Sequence, residues 1–296
     1  LHLDDEIADL QRAIDKLTEE RGGLSAYVEA HRALISPVSR LPLDIIQEIF
    51  IACLPVHRNP VMSTTEAPVL LRRICSAWRR CFSLHPRLWA RLHVVEPSLP
   101  WLDSGHYAYS QLLSEFDQKV AQRLEVTKMW LGRSGQCPLD ISLYSPSGGP
   151  FQAPPKEGYS ANTQFLRALI LFAARWHDIH FTIPPSSLLE IISDLNIDMP
   201  WLEKVSFRHH CSHDDPHPNH NLDTMTCGSF KMLQGARISS FSGSMFTLER
   251  FQISWNQLTH LTIVGPPWNG LLELTSDLAL RVISGCPALQ SCRLMI

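Results

Sequence analysis

With 296 residues, 45% of them apolar and 19% charged, the chain has the composition of a globular protein that buries a substantial core in one extended domain or two compact ones. A formal charge of -3 excludes a strongly basic nucleic-acid binder, and no apolar run approaches the length that crosses a bilayer. Neither a nucleic-acid nor a membrane partner is expected. The chain opens on Leu1 without a charged-then-apolar leader and stops on a strand-like run at Ile296, so it is expected to be a piece at both ends. Its eight cysteines form no CxxC pair and several fall on faces expected to be buried, which fits small core hydrophobes in a reducing compartment, cytoplasmic or nuclear.

The first expected element is helical. Leu3, Ile7, Leu10, Ile14 and Leu17 alternate spacings of four and three, a heptad seam that continues through Leu24, Val28 and Ile35 with Arg21 and His31 intruding. Residues 1–36 therefore read as a coiled-coil segment. Gly22 and Gly23 each cost a helix about 1 kcal/mol relative to alanine, so a break or kink is expected there. A lone helix with such a seam is marginal in water, which leaves two arrangements open. Residues 1–35 either form a coiled coil, with another copy, with a partner or within the chain, or they lie as a single amphipathic helix on the module that follows.

In residues 37–94 two short amphipathic helices are expected. The first starts at Pro42, where a first-turn proline loses no intrahelical bond, with Asp44 and Glu48 toward the positive end of the dipole, and it closes at Pro55. Ile45, Ile46, Ile49, Phe50, Cys53 and Leu54 make its apolar stripe wider than one buried side requires. The second carries Leu70, Leu71, Ile74, Cys75, Trp78 and Phe82 on its apolar face and Arg72, Arg73, Arg79 and Arg80 on the rest.

The order Leu41-Pro42, Asp44-Ile45-Ile46, Ile49-Phe50, Ile74-Cys75, Trp78-Arg79-Arg80, Pro86 and Leu88-Trp89 resembles the F-box, in the form abundant in mushroom-forming fungi. Asp44 stands where glutamate is commoner, and the connection from Pro55 to Pro68 is longer than in a compact F-box. The resemblance implies a three-helix module that binds the Skp adaptor of a cullin-RING ubiquitin ligase, while the remainder of the chain selects a protein substrate. It implies adaptor contacts through Leu41, Pro42, Ile45, Ile46, Ile49, Phe50, Leu54, Leu70, Ile74 and Trp78. Skp adaptors are acidic, which suits the basic side of the second helix.

Residues 95–296 change character. A helical period over 107–131 places Leu113, Phe116, Val120 and Leu124 on one side, and the stretch from Gly132 to Gly135 ends it. A strand over 138–144 follows, then a Pro-, Gly- and Ser-rich surface loop over 145–155. Beyond it Ile179-x-Phe181, Val205-x-Phe207, Ala236-x-Ile238, Leu261-x-Ile263 and Cys292-x-Leu294 recur, led three residues earlier by Trp176, Leu202, Leu233, Leu258 and Leu289. Runs over 188–195 and 271–283 are helix-like, and Met199-Pro200-Trp201-Leu202 and Cys286-Pro287-Ala288-Leu289 reuse one corner. The spacing is close to that of leucine-rich repeats, one strand and one helix per unit. An ordinary α/β domain with parallel strands is the alternative.

The richest polar cluster is His209, His210, Cys211, His213, Asp214, Asp215, His217 and His220, a set of donors suited to zinc. It lacks a CxxC or HExxH frame and Pro216 and Pro218 interrupt it, so a solvated loop is expected, with no metal and no other cofactor. No serine elbow, phosphate-cradling glycine loop or paired-carboxylate motif points to catalysis. The expected fold is α/β with an all-α N-terminal part: a helical F-box followed by an irregular leucine-rich-repeat-like α/β solenoid. The expected function is that of a non-enzymatic receptor joining a protein substrate to the Skp adaptor and, through it, to a cullin; the alternative is a repeat scaffold outside any ligase.

Overall fold

The computed structural model describes residues 2–35, 41–83, 85–98, 109–145, 161–183, 198–208, 238–243, 255–264, 280 and 283–295. The chain divides into two compact units, Leu1–Ile49 and Phe50–Ile296. Its fold is mixed α/β: an N-terminal helical part precedes a parallel sheet accompanied by helices.

The first unit holds α1 (His2–Ile35), with Asp4 and Asp5 in its first turn and Arg32 in its last, each sign matched to the helix dipole. Contrary to the sequence expectation, α1 passes through Gly22 and Gly23 unbroken. A Cβ at either position would meet nothing within 4 Å, so no neighbouring group bends the helix there. Breaking it would forfeit backbone hydrogen bonds and require a second nucleation, which outweighs about 1 kcal/mol per glycine. Helix α2 (Leu43–Ala52) then starts where Ile46 N–H donates to Pro42 O at 3.1 Å, and it crosses the boundary between the units.

In the second unit the second amphipathic helix is two pieces rather than one. A 3-10 turn, Val69–Arg73, ends with Ile74 N–H donating to Leu71 O at 3.4 Å. Helix α3 (Ser76–Ser83) starts afresh, with Arg79 N–H on Cys75 O at 3.0 Å and Trp78 N–H on Cys75 Sγ at 3.4 Å. Cys75 thus acts as an N-cap, and the change of pitch breaks the continuous stripe. A further 3-10 turn, Pro86–Trp89, leads directly into the sheet.

Among the described residues, seven parallel strands lie side by side in chain order: β1 (Arg91–Val95), β2 (Leu139–Tyr144), β3 (Trp176–Thr182), β4 (Lys204–Arg208), β5 (Ser240–Gly243), β6 (His260–Val264) and β7 (Ser291–Met295). Their registers align two inward rows. One runs Leu92, Ile141, Ile179, Val205, Phe241, Leu261 and Cys292; the other runs Val94, Leu143, Phe181, Phe207, then Gly243, Ile263 and Leu294. Both rows are buried through β6, and in β7 Cys292 and Leu294 are exposed. A third buried row consists of residues just ahead of or opening the strands: Trp89, Leu139, Trp176, Leu202, Ile238 and Leu258.

Three particulars depart from the sequence expectation. Strand β1 was not expected; it starts inside 37–94 and ends one residue beyond it, led by Trp89. Strand β5 lies at 240–243, so Ile238 belongs to the row ahead of the strands and Phe241 takes the place expected of Ala236. Gly243 replaces an apolar residue because the Phe241 ring occupies its space, and a Cβ there would come within 2.9 Å of Phe241 Cζ. The third departure is a bulge: Leu139 pairs with Trp176 and Asp140 with Asp178, leaving His177 as an extra residue.

Helix α4 (Tyr109–Arg133) buries Phe116, Val120, Leu124, Trp130 and Leu131 and packs against α5 (Ala161–Ile170). Each such side chain contributes roughly 1.5–3 kcal/mol by leaving water. The helix stops where Gly135 adopts φ 57°, and Arg175 gathers the freed carbonyls, donating to Leu131 O at 3.3 Å and to Cys137 O at 3.4 Å. The helix-like run at 188–195 and the histidine cluster at 209–220 lie outside the described residues, as does almost all of 271–283. Among the described residues no helix is long and apolar enough to cross a membrane, and no group of three or more His, Cys, Asp or Glu side chains is placed to hold a metal ion.

Candidate functional site

In the first unit, Leu41 is half-buried, Pro42 exposed, Ile45 45% exposed, Ile46 buried and Ile49 half-buried. In the second, Phe50 and Leu54 are buried, whereas Leu70 and Ile74 are 41% and 55% exposed. Trp78 is half-buried and meets the Phe50 ring edge to face, centroids 4.8 Å apart. The residues singled out by resemblance are thus of two kinds, core members and apolar side chains left in water.

A second surface went unnoticed in the sequence. Between the buried positions of each strand the side chains turn outward, and the registers arrange them in rows. One outward row is Arg91, Asp140, Asp178, Lys204, Ser240, His260 and Ser291; the next is His93, Ser142, His180, Ser206, Ser242, Thr262 and Arg293. Every member is polar. The sequence signal for the second row is the polar middle residue of the apolar-x-apolar units, His180, Ser206, Thr262 and Arg293, which a single strand does not distinguish from ordinary solvent-facing positions.

Toward β1 this face deepens into a cleft of about 420 Å³, bounded on one side by Val56, His57, Arg58 and Asn59 and floored by the outward residues of β1 to β4. Arg91 fixes that wall: Nε donates to Asn59 Oδ1 at 3.2 Å, Nη1 to Pro55 O at 3.1 Å and Nη2 to Arg58 O at 3.0 Å. Arg58 pairs with Glu66 through two contacts, one of them 3.1 Å, and this hydrogen bonding holds the Glu66 carboxyl below its usual range. In the floor, His93 Nδ1 lies 2.8 Å from Ser142 Oγ, which also accepts from Asn59 Nδ2 at 3.3 Å. Burial, then the nearby Arg58 charge, pushes the His93 pKa down. His180 Nε2 is 2.8 Å from Asp178 Oδ1, but out of line for a ring N–H, so the contact is close without being a hydrogen bond.

The bulge places another imidazole at the edge of this face. His177 Nδ1 reaches Asp140 Oδ1 at 2.9 Å and Nε2 reaches Glu203 Oε2 at 3.2 Å, while Ser239 Oγ donates to Glu203 Oε1 at 3.1 Å. Burial alone opposes charging His177, but the two carboxylates outweigh it and its pKa is raised. At the other end of the strands Glu96 is buried, neither carboxyl oxygen has a hydrogen-bond partner among the described residues, and burial pushes its pKa up to about 7. Ser145 offsets part of that shift without the geometry of a formed hydrogen bond.

The His93–Ser142 separation suits a base and a nucleophile, yet Asn59 also occupies the hydroxyl, and among the described residues no carboxylate hydrogen-bonds the other His93 nitrogen to orient it. The cleft lines its floor and wall with hydrogen-bond donors and acceptors and with side chains of both charge signs. Compared with family models, with curated proteins and with solved structures, the chain finds no significant match in any of the three.

Proposed function

We propose that the chain is an F-box substrate-recognition subunit: residues 37–94 dock on a Skp adaptor, and through it on a cullin, while the sheet selects a protein substrate for ubiquitin transfer. The observation that carries this is that the segments bearing the F-box-like motif leave apolar side chains in water, Ile45 in the first unit and, in the second, Leu70 and Ile74, while Phe50 and Leu54 of the second unit are buried. Exposed aliphatics on short helices are the anchors a partner protein would cover. The sheet supports the second half of the proposal. Parallel strands in chain order, those from β1 to β6 each with a buried inward pair of positions and a leading apolar residue, suit an irregular leucine-rich-repeat-like solenoid whose polar face and cleft would hold the substrate.

Capture of a purified fungal Skp adaptor tests this. Replacing Leu41 and Pro42 with alanine, or Ile74 with glutamate, is expected to abolish capture while leaving the melting temperature nearly unchanged. Trp78→Ala is expected to lower both, because Trp78 also packs on Phe50. If the folded, unaltered chain fails to bind the adaptor at micromolar concentration, the ligase role falls and a repeat scaffold takes its place.

A further inference from the structure

Helix α1 carries its apolar seam in water: Leu3, Ile7, Leu10, Ile14, Leu17 and Leu24 are 55% to 73% exposed. Among the described residues, the shallow concavity along Leu17, Leu24 and Val28 is lined by residues of α1. In heptad terms the seam sorts by shape. Ile7, Ile14 and Val28 fall at a positions, and Leu3, Leu10, Leu17 and Leu24 at d. Branched residues at a with leucine at d favour two parallel strands, because of how each side chain enters the hole on the facing helix.

The one charged a position chooses orientation. With two copies parallel and in register, Arg21 of each shares its layer with Arg21 of the other, and Glu20 of the other copy, at the neighbouring g position, lies beside each guanidinium and offsets that repulsion. In the antiparallel pairing that aligns a with d, Ile14 opposes Leu17 and Arg21 opposes Leu10, which leaves the cation against leucine. Of the charges already paired within α1, Asp9 and Arg12 stand off the seam, whereas Glu29 and Arg32 line the concavity beside Val28 and neutralise one another there. We infer that the α1 helices of two copies of this chain wind into a parallel, in-register two-stranded coiled coil about 50 Å long. The occupant of the seam is a second copy, and the protein is a dimer with two sheet units.

Sedimentation equilibrium of the whole chain tests the pairing, and cross-linking tests its sense. The unaltered chain is expected to show twice the mass of 33.5 kDa. Ile14→Glu with Leu17→Glu is expected to weaken the dimer by about 100-fold or more while the near-UV spectrum of the tryptophans, which all lie beyond α1, stays the same. Leu10→Cys is expected to form a disulfide-linked dimer on mild oxidation, which the unaltered chain with its own cysteines does not. A monomer at tens of micromolar, or a dimer that survives the double substitution, overturns the pairing. A dimer lost on double substitution but never cross-linked at position 10 overturns the parallel sense, since antiparallel strands hold the two sites roughly 16 Å apart.

Discussion

The Trp130 indole closes edge to face on Trp89, ring centroids 4.9 Å apart, and its Nε1–H donates to Arg91 O at 3.2 Å. Trp89 meets Phe82 of α3 at 4.6 Å as well, and the Arg133 guanidinium lies 4.6 Å above its ring. One side chain therefore joins α3, α4 and the first strand, and its place in the row with Leu139 and Trp176 makes it part of the sheet core.

Trp89→Ala is accordingly expected to cost about 3–5 kcal/mol, near the whole stability of many domains. Trp130→Phe keeps a ring but loses the hydrogen bond, at about 1 kcal/mol. Urea unfolding followed by tryptophan fluorescence measures both. Equal losses would show that the rings do not act as the joint described.

Legibility followed the strength of local pattern. Helix α4 was foreseen within two residues, because Phe116, Val120 and Leu124 repeat at helical spacing, and β2 within one, because Leu139, Ile141 and Leu143 alternate. Strand β1 was missed because Trp89 completes a helical motif and opens the sheet at once, and local sequence cannot announce a residue serving two elements. Strand β5 was misplaced because Ser240-Phe241-Ser242-Gly243 holds one apolar residue; the ring that fills two positions is a tertiary fact. The cleft needed cross-strand register, which brings Asn59, His93 and Ser142 together and which no single strand encodes.

Glu96 should make stability depend on pH. Its folded pKa of about 7 lies above the ordinary 4.5, so the folded state holds a proton that the unfolded chain releases. That contribution is complete below pH 4.5 and is lost as pH rises through 7, up to about 3 kcal/mol in all. His177, raised above 6.5 by Asp140 and Glu203, adds a loss of the same sign as pH climbs past it. Glu96→Gln is expected to flatten most of the decline between pH 5 and pH 8 in denaturation midpoints. An unchanged slope would mean that Glu96 does not stay protonated in the fold.

Gly243 and Phe241 form a testable pair. Gly243→Ala puts a methyl within 2.9 Å of Phe241 Cζ, a contact that must push the ring away, and is expected to cost about 1–3 kcal/mol. Phe241→Leu shortens the side chain and should cost less when combined with Gly243→Ala than the two single losses predict. Strict additivity in a double-mutant cycle would refute the shared space.

Parallel neighbours about 4.8 Å apart fix where each excursion must begin and end, but not how far it wanders between. The chain leaves β4 at Arg208 and returns at Ser240, yet leaves β5 at Gly243 and is back by His260. Natural variation can therefore lengthen or rewrite one excursion while the strands on either side keep their partners. Related sequences would then diverge by insertion at the rims and stay constant in the buried rows, letting new specificities accumulate at no cost to the framework that displays them.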